Sequence, residues 1–400
     1  MWWLASDPQR GIAHGGTGAA YYGVEMRSFR CGACDQLVFF DNSACLRCGS
    51  SLGYAPDRRL LLALVVDGDA LRSVGDDQRR WYRCANELVA ACNWLVPADA
   101  WVETGQRHCA SCRLTSVRPS DEDVAAMAAF AKAEGAKRRL IDQLNGLGLP
   151  IVERAVDPER GLSFELLSAR NHSVTTGHHR GVVTLDLSES DDAHREFVRQ
   201  QLGEAYRTVL GHLRHEVGHY FWPKLVIETG RLDAFRDRFG DERLDYRQAL
   251  ESHYAGGPPS ADPRPHDHVS RYATMHPWED WAETFAHYLH IRDGLETADN
   301  FGLLVEEPAR SRGAESWSPP PGTTRADLGI TPFLDRWLGL TVATNALSRS
   351  MGQEDLYPFI LTPTVIDKLE FVHQSVTGTH PGPAVGAGHG WPGDVGGVGR

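Results

Sequence analysis

The chain has 400 residues, of which 42% are hydrophobic and 24% are charged, and its formal net charge is −12. This composition is typical of a globular protein with two or three domains. The negative charge argues against broad electrostatic binding to nucleic acid or to an anionic membrane. The sequence has no run of about 18 apolar residues and no basic N-terminal region followed by an apolar stretch, so we expect no membrane span and no signal peptide, and we predict a cytoplasmic protein.

Composition divides the chain into four parts. Residues 1–25 are rich in glycine and predict a poorly ordered leader, with Met26 as an alternative start. Residues 26–118 hold all eight cysteines, and residues 119–376 carry helical and strand-like patterns. Residues 377–400 form a Gly-rich tail without enough apolar residues for a core.

The first cysteine cluster consists of two CxxC pairs separated by ten residues: Cys31 with Cys34, and Cys45 with Cys48. Four thiolates at this spacing satisfy a closed structural Zn²⁺ site. The alternative, two redox-active CxxC pairs, lacks the βαβ pattern that accompanies such chemistry. We therefore predict a zinc-binding module.

The second cysteine cluster is looser and contains the remaining four cysteines: Cys84, Cys92, Cys109 and Cys112. We favour a second Cys₄ zinc site, with His108 as a substitute ligand. The alternative is that Cys84 and Cys92 are ordinary buried thiols. Between the two clusters, LLLALVV (60–66) predicts a buried strand or a short helix.

A metal motif lies in LRHEVGHYF (213–221). If this stretch is helical, His215 and His219 lie one turn apart on the same face, where one Zn²⁺ could bind both imidazoles. Glu216 would then lie beside the metal, where it could act as a general base. The alternative is an amphipathic helix with incidental histidines. Gly218 lies inside the motif and favours close approach of another backbone.

A third ligand is expected in HPWEDWAETFAHYLH (276–290), because a catalytic Zn²⁺ usually has three protein ligands and one water. A helix here would place Glu279, Glu283 and His287 on one face. We prefer Glu283 as the ligand because a residue in mid-helix is held more rigidly, with Glu279 or Asp280 orienting an imidazole. The alternative is a solvent-facing acidic surface.

The remaining segments surround this motif. GVVTLDL (181–187) is a candidate edge strand for binding an extended substrate, or else an ordinary strand, and we expect the nearby His172, His178 and His179 to be exposed. Tyr254 and Tyr272 are candidates to donate a hydrogen bond to the tetrahedral intermediate. Helical patterns cover 193–221, 233–254, 333–347 and 355–376.

The combination of CGACDQLVFFDNSACLRCGSSLGY, LGHLRHEVGHYFW and HPWEDWAETFAHYLH resembles the bacterial zinc-binding metallopeptidases that carry an N-terminal zinc-ribbon domain. The resemblance covers roughly residues 26–300. It implies an α+β protein in which a Cys-rich zinc-ribbon module precedes a mostly helical zincin-like metallopeptidase domain with a small β-sheet. It also implies a catalytic zinc on His215, His219 and, by position, Glu283, with Glu216 as the base.

The sequence therefore predicts a metallopeptidase with one catalytic and one or two structural Zn²⁺ ions, acting on a peptide or protein of unknown identity. The zinc ribbon is expected to be structural or to bind a protein partner, and no nucleic-acid or membrane partner is expected. Two alternatives are a non-catalytic zinc-binding adaptor and a metal-dependent hydrolase of a non-peptide amide or ester.

Overall fold

The computed structural model describes residues 28–75, 78–169, 174–202, 207–255, 267–305 and 329–378. The predicted leader and nearly all of the predicted tail lie outside these ranges. No helix within them has both the length and the apolar character that crossing a bilayer requires.

The N-terminal part consists mainly of short antiparallel strands. β1 (Ser28–Arg30) and β2 (Leu37–Phe39) form a hairpin around the first CxxC pair. A five-stranded sheet follows in sequential order: β3 (Ser51–Ala55), β4 (Leu60–Asp67), β5 (Ala70–Ser73), β6 (Arg80–Arg83) and β7 (Leu95–Pro97). The LLLALVV stretch is the strand β4, which pairs with β3 through residues 60–64 and with β5 through residues 64–67. A short helix, α1 (Ala98–Thr104), ends this part.

A second sheet belongs to the C-terminal part. Its order is β10-β11-β9-β8, formed by β8 (Thr115–Val117), β9 (Ser163–Leu167), β10 (Gly177–His179) and β11 (Val182–Asp186). β8, β9 and β11 run parallel, and β10 is antiparallel to β11. GVVTLDL therefore forms a strand, as predicted, but an inner one, because β9 and β10 pair with its two sides.

Helices make up the rest of the described chain. They are α2 (Val124–Gly146), α3 (Asp192–Leu202), α4 (Val209–Trp222), α5 (Leu232–Phe239), α6 (Tyr246–Ala255), α7 (Pro277–Asn300), α8 (Thr331–Ser350) and α9 (Pro363–Thr377). The fold class expected from the sequence is confirmed: a Cys-rich region with strands precedes a mostly helical domain with a small sheet.

Three predicted helices have different bounds. The region 193–221 is divided into α3 and α4, and the region 233–254 is divided into α5 and α6 at Gly240, which has a φ of +97°. Such a backbone ends a helix. The last predicted helix begins at Pro363 rather than 355, because Thr362 caps it and the proline occupies its first turn.

The helix α2 joins the two parts of the molecule. One hydrophobic core includes Tyr54 of the N-terminal sheet, Phe130 of α2 and Phe221 of α4. At its C-terminal half, α2 carries Asp142, which accepts hydrogen bonds from the Tyr54 hydroxyl and from Arg59. The adjacent Gln143 donates to a carbonyl of α7 and accepts from a side chain of α4. The helices that carry the metal motif are thereby tied to the N-terminal sheet.

Candidate metal centre

The crossing of α4 and α7 positions the metal motif. A Cβ atom placed on Gly218 would lie 3.0 Å from the Cα atom of Ala282, so the two backbones approach as closely as a glycine permits. Trp281 Nε1 donates a hydrogen bond to the Gly218 carbonyl across the same contact, at 2.8 Å. The prediction that Gly218 favours close approach of another backbone is confirmed.

Three side chains converge beside this crossing. The Nε2 atom of His215 lies 2.9 Å from Glu279 Oε2 and 3.2 Å from His219 Nε2. His219 Nε2 lies 3.3 Å from the same Glu279 oxygen. Two imidazole nitrogens and one carboxylate oxygen form the donor set of zinc sites that keep a position open. The residues present therefore fit a Zn²⁺ ion.

The geometry favours Glu279 over Glu283, the residue preferred from the sequence, as the third ligand. Glu283 Oε1 contacts Nδ1 of His215 at 2.8 Å, on the side of the ring away from His219, and Ser270 Oγ donates to its other oxygen at 2.5 Å. Glu279 instead meets both Nε2 atoms. The argument from rigidity fails because the first turn of α7 is fixed: His276 accepts the Trp278 amide proton, and Pro277 begins the helix.

The electrostatics of the cluster favour a cation. Burial opposes charge on His215, yet hydrogen bonds with Glu279 and Glu283 hold its pKa well above the usual value. Burial likewise opposes charge on Glu279, but the neighbouring His219 and His215 hold the pKa of this carboxyl well below its usual value. The buried carboxylate of Glu279 and the half-buried carboxylate of Glu283 thus stabilise positive charge at this point.

Glu216 lies on α4 between the two histidines and is 8% exposed. Burial raises the pKa of its carboxyl above the ordinary value. A carboxylate made more basic in this way is a better proton acceptor near neutral pH.

Of the two tyrosines predicted to donate a hydrogen bond to the tetrahedral intermediate, the structure describes the side chain of one. The ring centre of Tyr272 lies 5.8 Å from that of His215, so Tyr272 is beside the cluster. Tyr254 lies in α6, and its side chain is outside the described part of the structure. The neighbouring His276 uses both of its ring nitrogens in hydrogen bonds within the protein. Its Nε2 donates to the Leu244 carbonyl, and its Nδ1 accepts from the Trp278 amide.

Two residues at the site were missed from the sequence. Tyr246, the first residue of α6, donates its hydroxyl to Glu279 Oε1 at 2.9 Å. His178 on β10 was expected to be exposed, but it is half-buried with its ring centre 6.0 Å from that of His219. Burial lowers its pKa well below the usual value. Tyr246 and His178 both lie outside the helix that carries His215 and His219. Residue spacing along that helix therefore gives no indication that either residue is at the site.

β10 and not β11 is the terminal strand of the sheet on the side of α4. The interpretation of GVVTLDL as the substrate-binding edge is therefore wrong, because β10 covers Val182–Thr184. Among the described strands, β10 is the one that places an edge and a histidine near the metal motif.

All eight cysteines are free thiols arranged in the two predicted groups of four, and within each group the sulfur atoms lie within 4.8 Å of one another. A hydrogen bond with Ser50 lowers the pKa of Cys48 to about 6, and one with Cys109 lowers the pKa of Cys84, whereas burial raises the pKa of Cys109. Zn²⁺ binds the thiolate form, so metal binding would release the protons of the remaining thiols. His108 is in neither group. Both groups fit Zn²⁺.

The second cysteine group is built into the C-terminal part. Cys112 Sγ lies 3.6 Å from the carboxylate of Glu134 on α2. Glu134 also accepts from Lys137 at 2.6 Å and from Thr115, and both Glu134 and Lys137 are fully buried. A buried ion pair on α2 therefore contacts this cysteine group directly.

Comparison with known families agrees with this architecture. The model of a family described as "Putative zinc-binding metallo-peptidase" matches residues 126–375, and that of a "zinc-ribbon domain" matches residues 28–123. The chain belongs to this metallopeptidase family. The resemblance noted in the sequence is thereby confirmed.

Similar proteins include one uncharacterized protein of Mycobacterium bovis and two from strains of Mycobacterium tuberculosis. Each is 48% identical over 360 residues, which cover 89% of this chain and 97% of the relative. No solved structure matches the chain.

Proposed function

We propose that this metallopeptidase hydrolyses peptide bonds with one catalytic Zn²⁺, held by His215, His219 and Glu279. The convergence of their two Nε2 atoms and one Oε2 atom, next to Glu216 on the same helix, is the observation that carries the proposal. A bound Zn²⁺ supplies Lewis acidity, which makes water acidic near neutral pH and polarises a carbonyl group.

Glu216 acts as the general base in this proposal. Its carboxylate takes the proton of the attacking water and delivers it to the nitrogen of the leaving amine as the C–N bond breaks. Glu283 accepts a hydrogen bond from Nδ1 of His215, which directs the Nε2 lone pair toward the metal. Tyr272 donates a hydrogen bond to the developing oxyanion in this proposal, which its position beside His215 supports.

The proposed metal content is three Zn²⁺ ions, with one structural ion in each cysteine group. Eight thiols without a disulfide support a reducing compartment such as the cytoplasm. The substrate is a peptide or protein, and the zinc ribbon remains a candidate site for a protein partner. The net charge of −12 supports no nucleic-acid role.

The test compares the zinc-loaded full chain with Glu216→Gln on a peptide library, with cleavage read by mass spectrometry. We expect the wild type to cleave, and the variant to lose at least about 10²-fold in rate, the order of effect of a general base, with three Zn²⁺ bound in both proteins. Equal cleavage by the two proteins would remove the mechanism. No cleavage by the wild type would favour the adaptor or, if a non-peptide amide or ester is hydrolysed, the broader hydrolase.

A further inference from the structure

The two oxygens of Glu279 face different partners. Oε2 lies 2.9 Å from His215 Nε2 and 3.3 Å from His219 Nε2, in the position of a metal ligand. Oε1 accepts the hydroxyl proton of Tyr246 at 2.9 Å. A carboxylate can bind a metal through one oxygen or through both, and here one of the two is already engaged.

The phenol of Tyr246 is itself fixed in place. Its ring packs edge-on against His276 and Trp278, with ring centres 5.4 and 6.0 Å apart. His276 in turn links the carbonyl of Leu244, two residues before Tyr246, to the first turn of α7, which carries Glu279. The donor and the carboxylate are therefore held on one connected framework rather than on two independent helices.

The hydroxyl stays a donor under physiological conditions. A phenol ordinarily ionises only at about pH 10, so the Tyr246 hydroxyl keeps its proton near neutral pH. Tyr272 is in hydrogen-bonding contact with the same phenol oxygen. Both tyrosines thus lie beside the cluster, and the Tyr246 hydroxyl is bonded to a proposed ligand.

We propose that Tyr246 is a positioning residue that restricts Glu279 to binding the metal through Oε2 alone. The inference rests on the proposed zinc site. With Oε1 bonded to the phenol, the carboxylate occupies one coordination position, and a position stays open for the water and the substrate carbonyl. Without the phenol, Oε1 is free to turn to the metal and occupy that position.

The experiment uses the full chain with both cysteine groups filled with Zn²⁺ and with Co²⁺ at the third site. Visible absorption of Co²⁺ depends on coordination number, and a four-coordinate ion absorbs more strongly than a five-coordinate one. For Tyr246→Phe we expect weaker visible absorption, about 10–100-fold weaker Zn²⁺ binding by competition with a chelator, and a lower kcat with KM little changed.

Tyr220→Phe is the matched control. Tyr220 lies on α4, which carries His215 and His219; it is buried and accepts a hydrogen bond from the Val152 amide at 3.2 Å. The substitution removes the same atom without touching Glu279, so we expect an unchanged Co²⁺ spectrum. A spectrum and Zn²⁺ affinity of Tyr246→Phe equal to those of the wild type would overturn the inference. An inert wild type with a changed Tyr246→Phe spectrum would overturn the peptidase proposal and support the role of Tyr246.

Discussion

His215 and Glu283 meet through Nδ1 and Oε1, 2.8 Å apart, on the side of the imidazole that faces away from His219. This contact gives different surroundings to Glu279 and Glu283 on α7, which spacing alone could not separate. One contacts the nitrogens that would bind a metal, and the other orients a ring.

Metal content should separate the two glutamates. We expect Glu279→Ala to reduce bound Zn²⁺ from three ions to two, because it removes a ligand. Glu283→Gln should retain three ions and bind the catalytic one about 10–100-fold more weakly, since it removes an orienting partner. Mass spectrometry of the metal and competition with a chelator measure both. Three ions in Glu279→Ala and two in Glu283→Gln would restore the assignment made from the sequence.

Gly218→Ala tests the close crossing of α4 and α7. The added methyl would lie 3.0 Å from the Cα atom of Ala282, so the helices must separate. We expect a loss of about 1–3 kcal/mol of unfolding free energy and weaker Zn²⁺ binding. Gly339→Ala, on α8 with nothing within 4 Å, is the control and should be neutral or stabilising by up to about 1 kcal/mol. Chemical denaturation measures both variants, and equal stabilities would contradict the packing argument.

The two cysteine groups should differ in what their loss destabilises. Cys109 is buried in the group that contacts α2, whereas Cys48 is exposed. We expect Cys109→Ser to lose one Zn²⁺ and to lower the melting temperature of the whole chain, since metal binding contributes folding free energy. Cys48→Ser should also lose one ion, with a smaller change in melting temperature. Calorimetry measures the difference, and equal melting temperatures would argue against the coupling through α2.

The burial of His287 should make the free energy of unfolding decrease in mild acid. The imidazole of His287 is buried. Its ring centre lies 4.4 Å from that of Phe359, and the ring is hydrogen-bonded to the Tyr357 hydroxyl. Burial lowers its pKa from 6.5 to about 4. Above pH 6.5 the ring is neutral in both states and has no effect. Between pH 6.5 and 4 the unfolded chain gains a proton that the folded chain does not, so stability falls, by at most about 3 kcal/mol.

Denaturant unfolding of His287→Phe at pH 7 and pH 4.5 measures this contribution. The variant should lose less stability between the two pH values than the wild type does. His194→Phe, at an exposed position on α3, should behave like the wild type. An unchanged pH dependence in His287→Phe would exclude this ring as a cause.

Much of the site could be predicted from local spacing. His215 and His219 on one helical turn, and the cysteines in two groups of four, follow from residues close in sequence. The third ligand could not be predicted in this way, because Glu279 and Glu283 lie four residues apart on one helical face. Only the capping of α7 by His276 shows that its first turn is rigid. Tyr246 could not be predicted because it lies on another helix, α6. The strand β10 could not be predicted because three residues are too few to show an alternation of apolar and polar side chains.

The parallel pairing of β8 with β9 has a consequence for synthesis of the chain. β8 begins at Thr115, shortly after the last cysteine, but its neighbour in the sheet begins only at Ser163, after the whole of α2. The second group of cysteines is therefore synthesised before β9 is available to pair with β8. We therefore expect nascent chains that end before residue 163 to hold the second group of thiols loosely, and to be exposed to oxidation until translation passes that point.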